Sequence, residues 1–198
     1  MASAFTHSAV ALALGTAFRD PSPPARYWLL GAACSVFPDI DAIGYYLGVP
    51  YESVLGHRGI THSLFFAALL AAAALSFFHQ LPPRERRRLW LYFFLATCSH
   101  GLLDSITMGG GGIAFLAPFE NSRYSFPWQI IEVSPLSVRR FFTARGVTIL
   151  VSEFAWIWAP AALFAIGCIS LRRARRRVRA LRQNEELKLP ANQGSLVE

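Results

Sequence analysis

The heptapeptide HRGITHS, residues 57–63, leads from a polar loop into an apolar run at residues 62–81 that has the length of a membrane span. His57 and His62 are five residues apart, which is not the spacing of one helical face, but a turn at Gly59 could bring both rings to one point. A neutral imidazole is the commonest protein ligand for metals. The alternative is a pair of loop histidines at a membrane surface, and the other polar residues in apolar surroundings decide between the two.

The composition is that of a membrane protein. Hydrophobic residues make up 54% of the 198 residues and charged residues only 16%, which is unusual for a soluble domain. The net charge of +7 could indicate nucleic-acid binding, but the basic residues cluster beside the apolar runs, so we expect no nucleic-acid partner. Cys34, Cys98 and Cys168 lie far apart in apolar segments and predict neither a disulfide framework nor a CxxC site.

The pattern of apolar runs predicts an all-α fold, a polytopic membrane bundle of about five transmembrane segments with a long external loop. A proline, Pro38, interrupts the second segment. The predicted segments are residues 4–18, 27–49, 62–81, 89–106 and 147–171, and the loop is 107–146. We expect two units, a membrane-embedded domain at 1–171 and a basic, disordered cytoplasmic tail at 172–198.

The arginine-rich stretches 84–88 and 172–182 predict the orientation, because basic residues beside spans favour the cytoplasm. Five crossings put both stretches inside. Eight ionisable residues then share the outer end of the bundle, namely His7, Asp39, Asp41, His57, His62, His100, Asp104 and Glu153. Unpaired ionisable groups are costly in a membrane, so their common depth indicates a site.

The residue types at this end favour a metal centre. His100 and Asp104 are four residues apart on one helical face, as two metal ligands or a hydrogen-bonded core pair would be. The candidate metal ligands are His7, Asp39, Asp41, His57, His62, His100 and Asp104. On their own, Asp39 and Asp41 would be more typical of a solvated turn. Mixed nitrogen and oxygen ligands without thiolates favour a catalytic divalent ion, Zn²⁺ first and Mn²⁺ second.

Two residues are candidates for a catalytic role, Arg58 and Glu153. Arg58 could hold a phosphate or carboxylate group. The alternative for Arg58 is an ion pair with Asp39, Asp41 or Glu52. Glu153 could be a metal ligand or a general base, or a structural partner of an arginine or serine. Arg123, in the long loop, could also hold an anion, although a solvated or headgroup-facing arginine is the more typical arrangement.

Three motifs carry a resemblance to a known family. FPDID at 37–41, HRGITHS at 57–63 and HGLLD at 100–104 resemble, in order and spacing, the YdjM-like family of bacterial inner-membrane metal-dependent hydrolases, over about residues 4–170. The resemblance implies a membrane-bound hydrolase with His and Asp metal ligands and an inner-membrane location. The family is also described as LexA-binding, but we identify no residue in this chain that would carry that link. The glycines at 109–112 leave the contribution of the long loop open.

The resulting hypothesis is hydrolysis of a phosphoester in a lipid or lipid-linked substrate at the outer face, with membrane lipids as the partners. One alternative is a metal-ion or proton transporter, because intramembrane histidines and carboxylates also line ion paths. The apolar inner halves of the segments argue against a continuous path. Another alternative is a non-catalytic scaffold that recruits partners through residues 172–182, although an arginine cluster beside a span more often fixes topology.

Overall fold

The computed structural model describes residues 1–18, 23–135 and 141–188, with side chains to residue 184, and within these ranges it is all-helical with no β-strand. The α-helices are α1 (Ala4–Phe18), α2 (Ala25–Val36), α3 (Ala42–Tyr46), α4 (Leu64–Leu75), α5 (Pro83–Ser105), α6 (Ala144–Glu153) and α7 (Ala159–Lys188). Short 3₁₀ helices lie at Phe37–Asp41, Ile60–His62 and Ser76–Phe78, and a π-helical turn at Phe154–Trp158 joins α6 to α7.

The break predicted at Pro38 is present. Pro38 lies in the first turn of the 3₁₀ helix Phe37–Asp41, where its missing N–H needs no partner, and α2 therefore stops at Val36. The chain then continues through the 3₁₀ turn into the short α3. Asp39 and Asp41 thus lie in a tight turn at the end of α2 and not within a regular span.

Helix α5 is the central element, and it packs against α1, α2 and α4. Helix α4 starts at a capping serine, since the Ser63 hydroxyl accepts the Phe66 N–H at 3.1 Å. A 3₁₀ turn ends this segment, and Pro83 at the first position of α5 starts the return. The two helices therefore run in opposite directions, with the end of α5 beside the start of α4.

The half of the bundle around the start of α5 contains an apolar core. The rings of Tyr27 and Tyr92 stack at 4.7 Å, and the Tyr92 hydroxyl donates to the Ala11 carbonyl at 3.2 Å. Phe78 and Phe93 complete this buried cluster, with ring centroids 5.9 Å apart. Tyrosine hydroxyls that reach backbone carbonyls let these large rings be buried without an unsatisfied polar group.

The long loop after α5 folds over the opposite end of the bundle. Isolated bridges pair Thr107 with Ile131 and Ile113 with Tyr124, and the Ala114 N–H donates to the carbonyl of Arg58 at 3.0 Å. The loop therefore lies on the HRGITHS segment. Residues 136–140 of the predicted loop lie outside the described residues.

Only part of the predicted membrane topology is reproduced. Within the described ranges one helix, Ala144–Asn184, is long and apolar enough to cross a membrane, whereas Ala4–Phe18 and Leu64–Phe78 are apolar but shorter. At 1.5 Å per residue, a 15-residue helix such as α1 covers about 22 Å, less than the roughly 30 Å of a hydrocarbon core. The five spans predicted from the sequence are therefore not established by helix length.

Within the basic tail, residues 172–188 are helical. Helix α7 continues through the arginine-rich stretch to Lys188, because arginine, alanine and leucine all have high helix propensity. Residues 189–198 lie outside the described residues, and the domain boundary between 171 and 172 stays a prediction.

Candidate metal centre

Four side chains from three elements converge at the end of α5. Asp39 comes from the 3₁₀ turn after α2, His62 from the 3₁₀ turn before α4, and His100 and Asp104 from α5. One donor atom of each lies within 4.8 Å of the others. The Nε2 atoms of His62 and His100 are 3.0 Å apart, and Asp39 Oδ1 is 3.2 Å from His100 Nε2. This four-donor cluster is almost completely buried.

The Nδ1 atoms of His62 and His100, which point away from the cluster, both have polar partners. His100 Nδ1 is 2.7 Å from the Ser35 carbonyl, which can only accept, so this nitrogen carries the proton. His62 Nδ1 is 3.1 Å from Asp41 Oδ2. In the neutral rings both Nε2 lone pairs then point into one space, 3.0 Å apart. Such an arrangement is repulsive unless a proton or a metal ion lies between the two nitrogens. In metal sites, ligand histidines are commonly oriented in this way by hydrogen bonds to the other nitrogen.

Two carboxylate oxygens of the cluster also lack hydrogen bonds. Asp39 Oδ1 and Asp104 Oδ2 are buried oxygens with no hydrogen-bond partner in the described part of the chain. Buried polar atoms are nearly always partnered, so both oxygens have room for a further ligand, beside the ion pair that Asp104 Oδ2 makes with Arg58. Both lie within 4.0 Å of His100 Nε2, compared with about 3.3 Å between ligand atoms around a tetrahedral zinc ion. The donor set therefore fits a divalent metal ion.

Asp41 organises the residues around the cluster. Its Oδ1 lies 2.6 Å from His57 Nδ1, while its Oδ2 accepts the Thr61 hydroxyl at 2.5 Å and the Arg58 N–H at 3.0 Å. Because Oδ2 also faces His62 Nδ1, Asp41 fixes the orientation of a histidine of the four-donor cluster. The structure thus places Asp41 and His57 in contact with the cluster but outside its four donors.

His7 lies in a second layer. Its ring stacks on His100 at 3.8 Å, and its Nε2 is 3.5 Å from Asp104 Oδ1. That oxygen accepts the Ala2 N–H at 2.9 Å, so the beginning of the chain closes one side of the cluster. His7 is not among the donors that converge on one point in the described structure, although the sequence predicted it as a ligand.

Arg58 is buried beside the cluster with an unusual backbone. Its φ of 64° is in the left-handed region, which is costly for a residue with a long side chain and is a feature of functional sites. Its Nε lies 3.3 Å from Asp104 Oδ2. The sequence suggested Asp39, Asp41 or Glu52 as the ion-pair partner of this arginine. In the structure its partner is Asp104.

Glu153 lies apart from the four donors. One of its carboxylate oxygens accepts the Ser3 N–H at 2.5 Å and the other accepts the Ser3 hydroxyl at 2.6 Å. Both oxygens are therefore used to hold the beginning of the chain against α6. This agrees with the alternative of a structural partner for a serine, whereas a role as ligand or general base stays a prediction.

The sequence favoured a solvated or headgroup-facing position for Arg123, and this expectation is wrong, because the side chain is only 6% exposed. Its guanidinium donates to the His57 carbonyl at 3.0 Å and to the Tyr51 carbonyl, and it stacks on the Tyr51 ring at 4.3 Å. It therefore holds the loop before HRGITHS against the long loop. The sequence did not predict these contacts of Arg123, because no local pattern indicates that the two loops are neighbours.

The glycine run at 109–112 has a structural explanation that the sequence left open. A Cβ atom on Gly110 would lie 1.6 Å from Arg58 Nη1, and one on Gly111 would lie 2.8 Å from the Tyr51 ring. Only glycine lets the loop backbone approach this closely. In the sequence, the four consecutive glycines were the signal that this loop packs closely on a side chain.

The fold and this cluster define a helical protein with a candidate metal centre at one end of its bundle. The chain belongs to the YdjM inner membrane protein family, because the sequence model of that family matches residues 1–176. It is 36% identical over 163 residues to inner membrane protein YbcI of Escherichia coli (strain K12), which covers 82% of this chain and 94% of that protein. The family resemblance predicted from the three motifs is therefore confirmed. No solved structure matches the chain.

Proposed function

We propose that this protein is a metal-dependent hydrolase of the bacterial inner membrane that cleaves a phosphoester in a lipid or lipid-linked substrate at the outer face. The observation that carries the proposal is the buried cluster of Asp39, His62, His100 and Asp104, with two carboxylate oxygens that accept no hydrogen bond from the described residues. A divalent ion held there, Zn²⁺ or alternatively Mn²⁺, would activate water and polarise a phosphoryl oxygen.

The residues around the cluster suit an anionic substrate. Arg58 places a permanent positive charge within 3.3 Å of Asp104, and contacts of its backbone N–H and carbonyl hold the residue in position. A guanidinium is the preferred side chain for a phosphate because its donors match two oxygens at once. We assign Arg58 to substrate phosphate binding and Glu153 to the support of the adjoining chain.

The direction of the helices supports five membrane crossings. Helices α1, α4 and α6 begin at the end that holds the cluster, and α2 and α5 finish there. The arginine-rich stretches 84–88 and 172–182 therefore lie at the opposite end, which the positive-inside rule assigns to the cytoplasm. The cluster then faces the outer side of the membrane, and the C-terminus is cytoplasmic.

Exposed aromatic residues motivate the lipid substrate. Tyr45, Tyr46, Phe119, Trp128 and Phe142 are all at least 65% exposed, and they lie in α3 and in the long loop at the end that holds the cluster. Tyrosine and tryptophan are enriched where a membrane meets water, since one end of the ring is apolar and the other polar. An interfacial position gives the cluster access to lipid headgroups.

The first experiment compares metal content and activity in purified full-length protein. We expect stoichiometric Zn²⁺ or Mn²⁺ by elemental mass spectrometry in the wild type and in the control His79→Ala, whose histidine is exposed at the other end. His62→Ala and His100→Ala should lose the metal. Wild type and control should release phosphate or phosphoalcohol from lipid phosphoesters in mixed micelles, and both site variants should not.

Two outcomes would contradict the proposal. A wild type that stays metal-free after reloading would remove its basis. Equal hydrolysis by wild type and His100→Ala would place any activity elsewhere. If the metal binds and proteoliposomes instead accumulate it, the transporter alternative replaces the hydrolase, despite the apolar core that fills the other half of the bundle.

A further inference from the structure

A second group of ligand-type side chains adjoins the four-donor cluster and shares one residue with it. Asp39, Asp41 and His57 each offer a donor atom within 4.8 Å of the others, at the side of the cluster where the HRGITHS segment begins. We propose that these three residues form a second divalent-cation position and that Asp39 bridges the two ions. The inference rests on the proposed function, since it completes the same site.

The division of contacts at Asp41 favours this assignment. Its Oδ2 is committed to the Arg58 N–H, the Thr61 hydroxyl and His62 Nδ1. Its Oδ1 is directed the other way, toward His57 Nδ1 at 2.6 Å. Asp41 can therefore keep His62 oriented with one oxygen and offer the other as a ligand. A cation between Oδ1 and His57 would replace the shared proton.

Asp39 has the capacity to bridge. Its Oδ1 belongs to the four-donor cluster and has no hydrogen-bond partner within the described ranges. A carboxylate has about four lone-pair positions on two oxygens, so one residue can serve two ions. In two-metal hydrolytic sites the ions are about 3.5–4 Å apart, and Asp39 belongs to both groups of donors, as a bridging carboxylate would.

The two positions differ in exposure. The side chains of His62, His100 and Asp104 are 0% exposed, whereas those of Asp39 and His57 are each 13% exposed. The second position is thus the open edge of the site, and its ion should bind more weakly and exchange faster. It is also the edge that a substrate would reach first.

The competing explanation is that His57 only holds Asp41 through a hydrogen bond, without a second ion. Full-length protein in detergent, stripped with a chelator and titrated with Mn²⁺, separates the two. We expect two Mn²⁺ per chain in the wild type and in the control His79→Ala, and one in His57→Ala, with the tight class changed less than about tenfold. The electron paramagnetic resonance spectrum should change from an exchange-coupled pair to the six lines of a single ion.

The outcomes that overturn the second position are distinct from those that overturn the function. One ion in both wild type and His57→Ala refutes the second position and leaves the proposed hydrolase intact. No ion in the wild type refutes the proposed function itself. If His57→Ala unfolds by circular dichroism, His57→Gln, which can still donate to Asp41, takes its place. Two ions in that variant would refute the assignment of His57 as a ligand.

Discussion

The two halves of helix α5 face different surroundings without any break in the helix. The first half contributes Leu89, Tyr92 and Phe93 to the apolar core, while the second half contributes His100 and Asp104 to the cluster. In the first half, burial stabilises the fold through close van der Waals packing of apolar side chains, which acts in lipid as it does in water. In the second half, burial destabilises the charged groups. Pairing with Arg58 offsets part of that cost, and the cation that we propose would offset more of it.

One helix thus carries two kinds of burial, which should respond to different perturbations. Loss of apolar volume should act on the first half alone. Removal of a cation should act on the second.

The largest effect is expected from Phe93→Ala in the apolar core. Truncating a fully buried phenylalanine should lower the free energy of unfolding by about 3–5 kcal/mol, because it removes apolar contacts and leaves a cavity. The metal content of the folded protein should not change. Phe77→Ala is the control, since Phe77 is 59% exposed and should lose far less in denaturant unfolding. Loss of metal in folded Phe93→Ala would show that the two halves are coupled.

Removal of the metal should destabilise the second half. A ligand that binds only the folded state stabilises it by about 2.7 kcal/mol when its free concentration is 100 times Kd. A chelator should therefore lower the thermal midpoint of the wild type and of Phe93→Ala by similar amounts. In His100→Ala, which lacks a central donor of the cluster, the chelator should have little effect. An equal shift in that variant would mean that the stabilising metal binds elsewhere.

Gly110→Ala tests the close packing of the long loop on the cluster. The added Cβ would meet Arg58 Nη1 at 1.6 Å, so the guanidinium must move or the loop must lift. We expect a loss of about 1–3 kcal/mol in unfolding free energy, together with weaker substrate binding seen as a raised KM. Gly167→Ala is the matched control, because nothing lies within 4 Å of its added Cβ. Indistinguishable behaviour of the two variants would contradict the packing of Arg58 under this loop.

The smallest effect is expected from Tyr92→Phe, which removes only a hydroxyl from the apolar core. The lost hydrogen bond to the Ala11 carbonyl should cost about 1 kcal/mol of unfolding free energy. Metal content and Mn²⁺ affinity should stay at wild-type values. Tyr45→Phe, at a residue 65% exposed, should change neither quantity measurably. A change in metal affinity on Tyr92→Phe would mean that packing at one end of α5 sets the geometry at the other.

Much of the candidate site could be predicted from the sequence because its motifs are local. The break at Pro38 follows from the missing N–H of proline, and the four-residue spacing of His100 and Asp104 puts both on one helical face. The direction of successive apolar segments then brought the three motifs to one end. The length of each helix was less predictable, because ends depend on caps and 3₁₀ turns such as Ser76–Phe78.

By itself, the sequence determined the helical class, the turn at Pro38 and the set of residues from which the cluster is drawn, since these depend on neighbours a few positions away. Only the tertiary structure decided which of those residues meet. It paired Arg58 with Asp104, stacked His7 on His100 and gave Glu153 to Ser3, 150 residues earlier. Such contacts are set by how whole helices pack, and no local pattern along the chain encodes them.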